Sequence, residues 1–162
     1  MRMYPLIVAR AIAALSIAFT LGLGAAARGQ DKPRNSVSPI AEAIQRADAA
    51  VAGIVATPED KRTFDNTIGA IDDLLTRFEL DTNMLRFMQY VSTDAAERER
   101  SQQAEQDASN WLIGLMKRDD LYKAVRAYAD KGEALEGPRK KLLDDLLREF
   151  RRAGMELDVA QR

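Results

Sequence analysis

Carboxylate pairs are the residues of this 162-residue sequence that come nearest to a catalytic arrangement. Adjacent aspartates occur three times, at Asp72-Asp73, Asp119-Asp120 and Asp144-Asp145. Carboxylates that converge across a cleft can act as general acid and base, and clustered carboxylates can bind a hard cation. Neighbouring residues of a helix point about 100° apart, so adjacent aspartates do not converge on one substrate. We therefore interpret the three pairs as solvated helix faces or N-terminal caps, and we predict no catalytic residue.

Histidine and cysteine are both absent from the sequence. Without histidine the chain cannot form a Ser-His-Asp triad, a histidine metal site or a pH switch near neutrality. Without cysteine it has no thiol nucleophile, no disulfide and no zinc-finger-type site. We therefore predict no metal-ligating residue and no cofactor bound by this chain alone.

Three aromatic residues, Trp111, Tyr122 and Tyr128, could line a binding groove. Aromatic side chains at helical spacing belong more often to a packed core, and we favour that interpretation. Substrate-binding residues consequently stay unknown from the sequence.

The charge balance argues against a nucleic-acid partner. Lysine and arginine total 24 against 25 acidic residues, and the formal net charge is −1. The most basic segment, residues 139–152, places Lys140 and Lys141 four residues before Asp144 and Asp145. This spacing is typical of an exposed, salt-bridged helix face.

The first 29 residues have the pattern of a signal peptide. Arg2 and Arg10 precede an uncharged run over residues 11–27, which ends in small residues. Cleavage is predicted after Ala27 or Gly29, and residues 30–38 read as a polar linker. The predicted location is exported, either periplasmic or secreted. The alternative is an uncleaved segment that tethers the chain to a membrane, which is the only membrane contact we expect.

Residues 39–162 are predicted to form an all-α domain of about six amphipathic helices in stacked antiparallel hairpins. The first helix is predicted over residues 39–55, and Thr57 is predicted to cap the second. A break is expected at residues 79–82, followed by a short helix with an inward face at Met84, Leu85, Met88 and Val91.

Four segments, in order, resemble the N-terminal helical region of the thimet oligopeptidase, oligopeptidase A and neurolysin family of zinc metallopeptidases. Residues 64–68 resemble its F-x-N-T-I helix, and residues 91–94 resemble its V-S-x-D turn. Residues 118–122 resemble its R-x-D-L-Y segment, and residues 148–157 resemble its R-D-F-R-R-A-G-x-x-L segment. Glu97-Arg98 departs from the family's usual leucine-arginine.

This resemblance implies a peptidase that cuts short peptides in a channel, with these helices forming part of one wall. In the family, zinc is held by H-E-x-x-H and a distant glutamate, and the motif glutamate is the general base. No residue of this chain matches that motif. The expected function is therefore the channel-wall portion of an exported zinc oligopeptidase, truncated before the catalytic domain and inactive alone. The alternative is a complete, non-catalytic helical protein of the cell envelope that binds peptides or serves as a scaffold.

Overall fold

The computed structural model describes residues 38–157, which form five α-helices and contain no strand. The helices are α1 (Pro39–Ala56), α2 (Ala70–Val91), α3 (Ala95–Leu115), α4 (Asp119–Ala129) and α5 (Gly137–Arg152). The predicted all-α class is confirmed for this part of the chain. The predicted signal peptide, residues 30–37 of the predicted linker and residues 158–162 lie outside the described residues.

The prediction of about six helices is wrong, because the expected break at residues 79–82 does not exist. The α2 helix continues through this segment to Val91. Thr82 is fully buried there, and its hydroxyl donates a 2.8 Å hydrogen bond to the carbonyl of Phe78, one turn earlier. Asp81 accepts a 2.9 Å hydrogen bond from Arg46 of α1. Both polar residues are thus satisfied within a continuous helix.

The predicted cap at Thr57 is also misplaced. Thr57 ends α1, and its hydroxyl donates to the carbonyl of Gly53. A short 3-10 turn, Glu59–Lys61, follows, and a π-helical turn, Asp65–Gly69, then runs directly into α2. Thr63 and Asn66 hold this start through reciprocal bonds from each backbone N–H to the other side chain, at 2.8 and 3.2 Å. This exchange is the geometry of a capping box.

Helices α1, α2 and α3 pack side by side. The start of α1 lies near the middle of α2, and its end packs against the start of α2, so the two are antiparallel. The turn at residues 92–94 reverses the chain, and the backbone N–H of Gln89 near the end of α2 donates to Ser101 near the start of α3. Small buried residues of α3, namely Ser101, Ala104 and Ala108, allow α2 and α3 to approach closely.

Two apolar clusters stabilise the fold. The larger joins the end of α1, the start of α2, α4 and α5, and it contains the fully buried Ile68, Leu121 and Phe150. The smaller joins α1, α2 and α3 around Phe78. Trp111 packs against both clusters, with its ring 4.2 Å from that of Phe78. None of the helices between residues 38 and 157 has the length and apolar character needed to cross a bilayer.

Candidate functional site

A groove of about 470 Å³ lies where α1, α2 and α3 meet. Its apolar surface comes from Ile40 of α1, from Ala104 of α3 and from Met84, Leu85 and Met88 of α2. Its polar rim comes chiefly from α3, through Glu97, Arg100, Gln103 and Asp107. An apolar groove with a few polar groups at its edge is the usual form of a site for an organic ligand or a peptide side chain.

The rim residues are linked to one another and to the neighbouring turn. The Gln103 amide donates a 2.8 Å hydrogen bond to Asp107, one turn further along α3. Glu97 accepts a hydrogen bond from the hydroxyl of Ser92, and Arg100 lies 4.0 Å from Asp94. Two carboxylates and one guanidinium therefore border the groove, which suits a ligand with both a charged and an apolar part.

The inward face predicted for the end of α2 is confirmed at two of its four residues and wrong at the other two. Leu85 and Met88 are partly buried as expected, but Met84 is 63% exposed and Val91 is 53% exposed. This half of α2 carries apolar residues on both sides, so periodicity alone cannot select the packed side. That double-sided pattern is the sequence feature from which an exposed apolar side of α2 could have been anticipated.

The three aspartate pairs lie on separate helices and are exposed or half-buried. Asp120 forms a two-pronged ion pair with Arg118, at 2.9 and 2.6 Å, and this guanidinium lowers the pKa of the Asp120 carboxyl. Asp144 pairs with Lys140, and Asp145 pairs with Lys141 and Arg148. The lysine–aspartate pairs confirm the salt-bridged face predicted for α5. Asp72 and Asp73 occupy the first turn of α2.

The donor set does not fit the zinc ion that the family resemblance implies. Zinc sites in proteins use histidine, cysteine and carboxylate donors, and the first two do not occur in this sequence. Among residues 38–157, no group of three or more carboxylates converges closely enough to hold a metal ion. A zinc centre would therefore need ligands from another polypeptide segment.

The aromatic residues belong to the packed core rather than to the groove, as the sequence interpretation favoured. Tyr122 lies against Phe150, with ring centroids 5.5 Å apart. Tyr128 packs edge-on against Phe64 and donates a 2.8 Å hydrogen bond to Glu133. Burial, aided by the Glu133 carboxylate, raises the pKa of Tyr128 to about 12. Its phenol therefore stays neutral at physiological pH.

A second hollow of about 340 Å³ lies on the other side of α2. Arg86 spans it, bonding Glu79 at 2.7 Å and Glu105 of α3 at 2.9 Å. The hydrogen bond from Arg86 lowers the pKa of Glu105, and the same bond raises the pKa of Arg86. Both partners are thus held in their charged forms across the α2–α3 contact.

The four segments that resemble the thimet oligopeptidase family lie at helix ends and do not form a catalytic centre. In residues 64–68, Phe64, Thr67 and Ile68 are buried, and the Asn66 amide donates to the carbonyl of Lys61. In residues 91–94, Asp94 caps α3 by accepting a 2.9 Å bond from the N–H of Ala96. These two segments fix where α2 and α3 begin.

The two later segments fix the start of α4 and the end of α5. Arg118 precedes α4, and the buried Leu121 anchors its first turn. Phe150 is buried in the last turn of α5, and Gly154 follows the helix with a φ of +85°. The N–H groups of Gly154 and Met155 bond the carbonyls of Arg151 and Phe150, which is the Schellman arrangement.

Comparison with known proteins supports a relationship to the thimet oligopeptidases, as the four segments indicated. A thimet-like oligopeptidase of Dictyostelium discoideum is 29% identical over 129 residues, which cover 75% of this chain and 19% of that protein. A probable thimet oligopeptidase of Arabidopsis thaliana is 28% identical over 103 residues, covering 64% of this chain and 14% of that protein. The chain thus spans less than a fifth of these relatives. No protein-family model matches it.

Proposed function

We propose, from this relationship to the thimet oligopeptidases, that residues 39–162 are the N-terminal helical portion of an exported zinc-dependent oligopeptidase. The whole enzyme hydrolyses short peptides, and these helices form part of the wall of its substrate channel. The catalytic zinc centre is supplied by a histidine-bearing segment with the H-E-x-x-H pattern. The 162 residues alone are inactive.

The proposal rests on one combined observation: the chain is related to the thimet oligopeptidases, but it has none of the histidine residues that hold zinc in that family. The two relatives match along most of the helical region. The sequence nevertheless has no histidine, and its aspartate pairs are engaged by arginine or lysine or lie apart on separate helices. What the chain contributes to peptide hydrolysis is therefore binding surface and not chemistry. The groove bordered by α1, α2 and α3 is the surface best suited to a peptide side chain.

Two measurements test this function. The first is cleavage of an internally quenched peptide by the pure, mass-verified chain with added zinc, for which we expect no turnover. Chelator-sensitive cleavage by that sample would contradict the assignment. The second is the nucleotide sequence downstream of the codon for Arg162, where we expect a reading frame that encodes H-E-x-x-H. A clean intergenic gap with no such frame nearby would count against the proposal.

Export is tested separately, by the N-terminus of the protein recovered from the cell envelope or the medium. Cleavage after Ala27 or Gly29 yields a chain that begins at Arg28 or Gln30. Recovery of the full-length chain in the membrane fraction indicates the tethered alternative. Recovery of uncleaved chain in the soluble cytosol contradicts export.

The groove also favours a second function, a non-catalytic module that binds peptides by itself. This alternative predicts saturable binding of a fluorescent peptide library to the pure chain. Gln103 lines the groove and is exposed, so Gln103→Trp should fill the groove and weaken such binding. Gln102→Trp, at an exposed neighbouring position outside the groove, is the matched control. No binding by the wild-type chain excludes the alternative.

A further inference from the structure

One face of α2 carries large apolar side chains that are about half or more exposed. Leu80, Met84, Phe87 and Val91 follow one another at intervals of four, three and four residues, so they form one line along the helix. They are 72%, 63%, 48% and 53% exposed. We call these four residues the α2 stripe. A continuous apolar line of this kind marks an interaction surface more often than an isolated exposed residue does.

The stripe points away from the rest of the helical domain. Phe78 and Thr82 are buried on the opposite side of α2, and the backbone of Gln89 bonds Ser101 of α3 on that side as well. Only the side of α2 opposite the stripe is used in packing its own domain. A helix that is apolar on both faces is normally buried on both. The stripe therefore requires a second partner surface.

Several charges of α2 near the stripe are already paired. Arg86 bonds both Glu79 and Glu105, and Asp81 bonds Arg46 of α1. A charge that keeps its partner can be covered at far lower cost than an isolated one. A partner can therefore cover this border while Arg86 and Asp81 keep their ion pairs. The best-matched partner is an apolar surface with few charges of its own.

The shape beside the stripe is that of a ridge between two hollows. Met84 belongs to the stripe and also lines the groove of about 470 Å³, while Phe87 lines the hollow of about 340 Å³ on the other side. A partner that covers the ridge can insert side chains into the hollow lined by Phe87, which leaves the groove to a peptide side chain. Such interlocking gives the packing density that is typical of permanent interfaces.

We propose that the α2 stripe is the surface on which the histidine-bearing part of the oligopeptidase packs. This inference rests on the proposed function. We infer this partner from the lengths of the two relatives, because more than four-fifths of each lies outside the region that matches this chain. Obligate interfaces are large and more apolar than transient ones, and the exposed stripe suits such an interface.

The test is binding between the pure chain and the H-E-x-x-H polypeptide encoded in the same genome, measured by titration calorimetry. Leu80→Gln removes the most exposed apolar residue of the stripe. Ile113→Gln makes a similar change at a 56% exposed residue of α3, outside the stripe. Both positions are exposed, so both variants should retain the wild-type circular dichroism and melting temperature.

We expect Leu80→Gln to weaken binding about tenfold and Ile113→Gln to leave it unchanged. Tight binding that both variants preserve would refute the stripe while leaving the proposed function standing. If the genome encodes no H-E-x-x-H polypeptide, both the proposed function and the role of the stripe are refuted. A wild-type homodimer that Leu80→Gln converts to monomer, measured by sedimentation, would assign the stripe to a second copy and overturn the inference.

Discussion

Phe78 and Leu80 lie two residues apart on α2 and have opposite environments. Phe78 is 3% exposed and stacks on Trp111, whereas Leu80 is 72% exposed. One face of the helix thus stabilises the domain, and the other is available to a partner. The two faces can be tested independently by substitution.

Truncation of the packed face should destabilise the domain strongly. Phe78→Ala removes the centre of the smaller apolar cluster, and we expect it to lower the free energy of unfolding by about 3–4 kcal/mol. Leu80→Ala is the matched control and should change it by less than about 0.5 kcal/mol. Urea denaturation followed by circular dichroism measures both. Equal losses for the two variants would mean that Leu80 is not exposed in solution.

Arg62 caps the end of α1 from inside the fold. Arg62 is 7% exposed, and its guanidinium donates 2.9 Å hydrogen bonds to the carbonyls of Ile54 and Val55. Arg62→Met keeps much of the length of the side chain but removes both hydrogen bonds, at an expected cost of about 1–2 kcal/mol, because the Ile54 carbonyl still accepts from the backbone N–H of Thr57. Arg77→Met, at an exposed position of α2, controls for the loss of positive charge. A neutral result for Arg62→Met in urea denaturation would rule out this cap.

The Arg86–Glu105 bond predicts an acid-dependent part of stability. Because Arg86 lowers the pKa of Glu105 in the folded state, this carboxylate stabilises the fold above its unfolded pKa. That stabilisation is lost as the pH falls from about 5 through the lowered folded pKa. Glu105→Gln should flatten this part of the profile of melting temperature against pH. Glu99→Gln on the same helix controls for charge, and an unchanged profile in Glu105→Gln contradicts the pairing.

Gly154 and Gly53 should respond oppositely to replacement by alanine. Gly154 has a φ of +85°, a conformation that costs an L-residue about 1 kcal/mol, so Gly154→Ala should destabilise the domain. Gly53 lies inside α1 with nothing within 4 Å of an added Cβ, so Gly53→Ala should stabilise it by about 0.5–1 kcal/mol. Thermal melts of the two variants should shift in opposite directions. A shift of both melts in one direction would exclude this explanation.

Local patterns predicted the helices well where one face is apolar. Phe64, Ile68, Ile71 and Phe78 recur at helical spacing and are all buried in the segment that includes α2. Ser38-Pro39 is a typical helix start, and Ser38 caps α1. The continuity of α2 could not be predicted in the same way. It depends on the Arg46–Asp81 contact, 35 residues apart in sequence, and on the burial of Thr82.

The candidate site was harder to anticipate than the fold. Ile40, Leu85 and Ala104 come together only through the packing of three helices, so no local spacing reveals the groove. The spacing of Thr63 and Asn66 is that of a helix capping box. The neighbouring Thr57-Pro58 is an equally typical helix start, so the sequence does not decide between them. The absence of histidine, by contrast, needed no structure and excluded the family's zinc chemistry from this chain at once.

Reconstitution of peptidase activity tests the central claim most directly. The measurement is cleavage of an internally quenched peptide by the H-E-x-x-H polypeptide from the same genome, with and without residues 39–162. We predict that the helical chain raises zinc-dependent cleavage at least about tenfold and that a chelator abolishes it. Cleavage by the H-E-x-x-H polypeptide that is unchanged by addition of the helical chain would contradict the account.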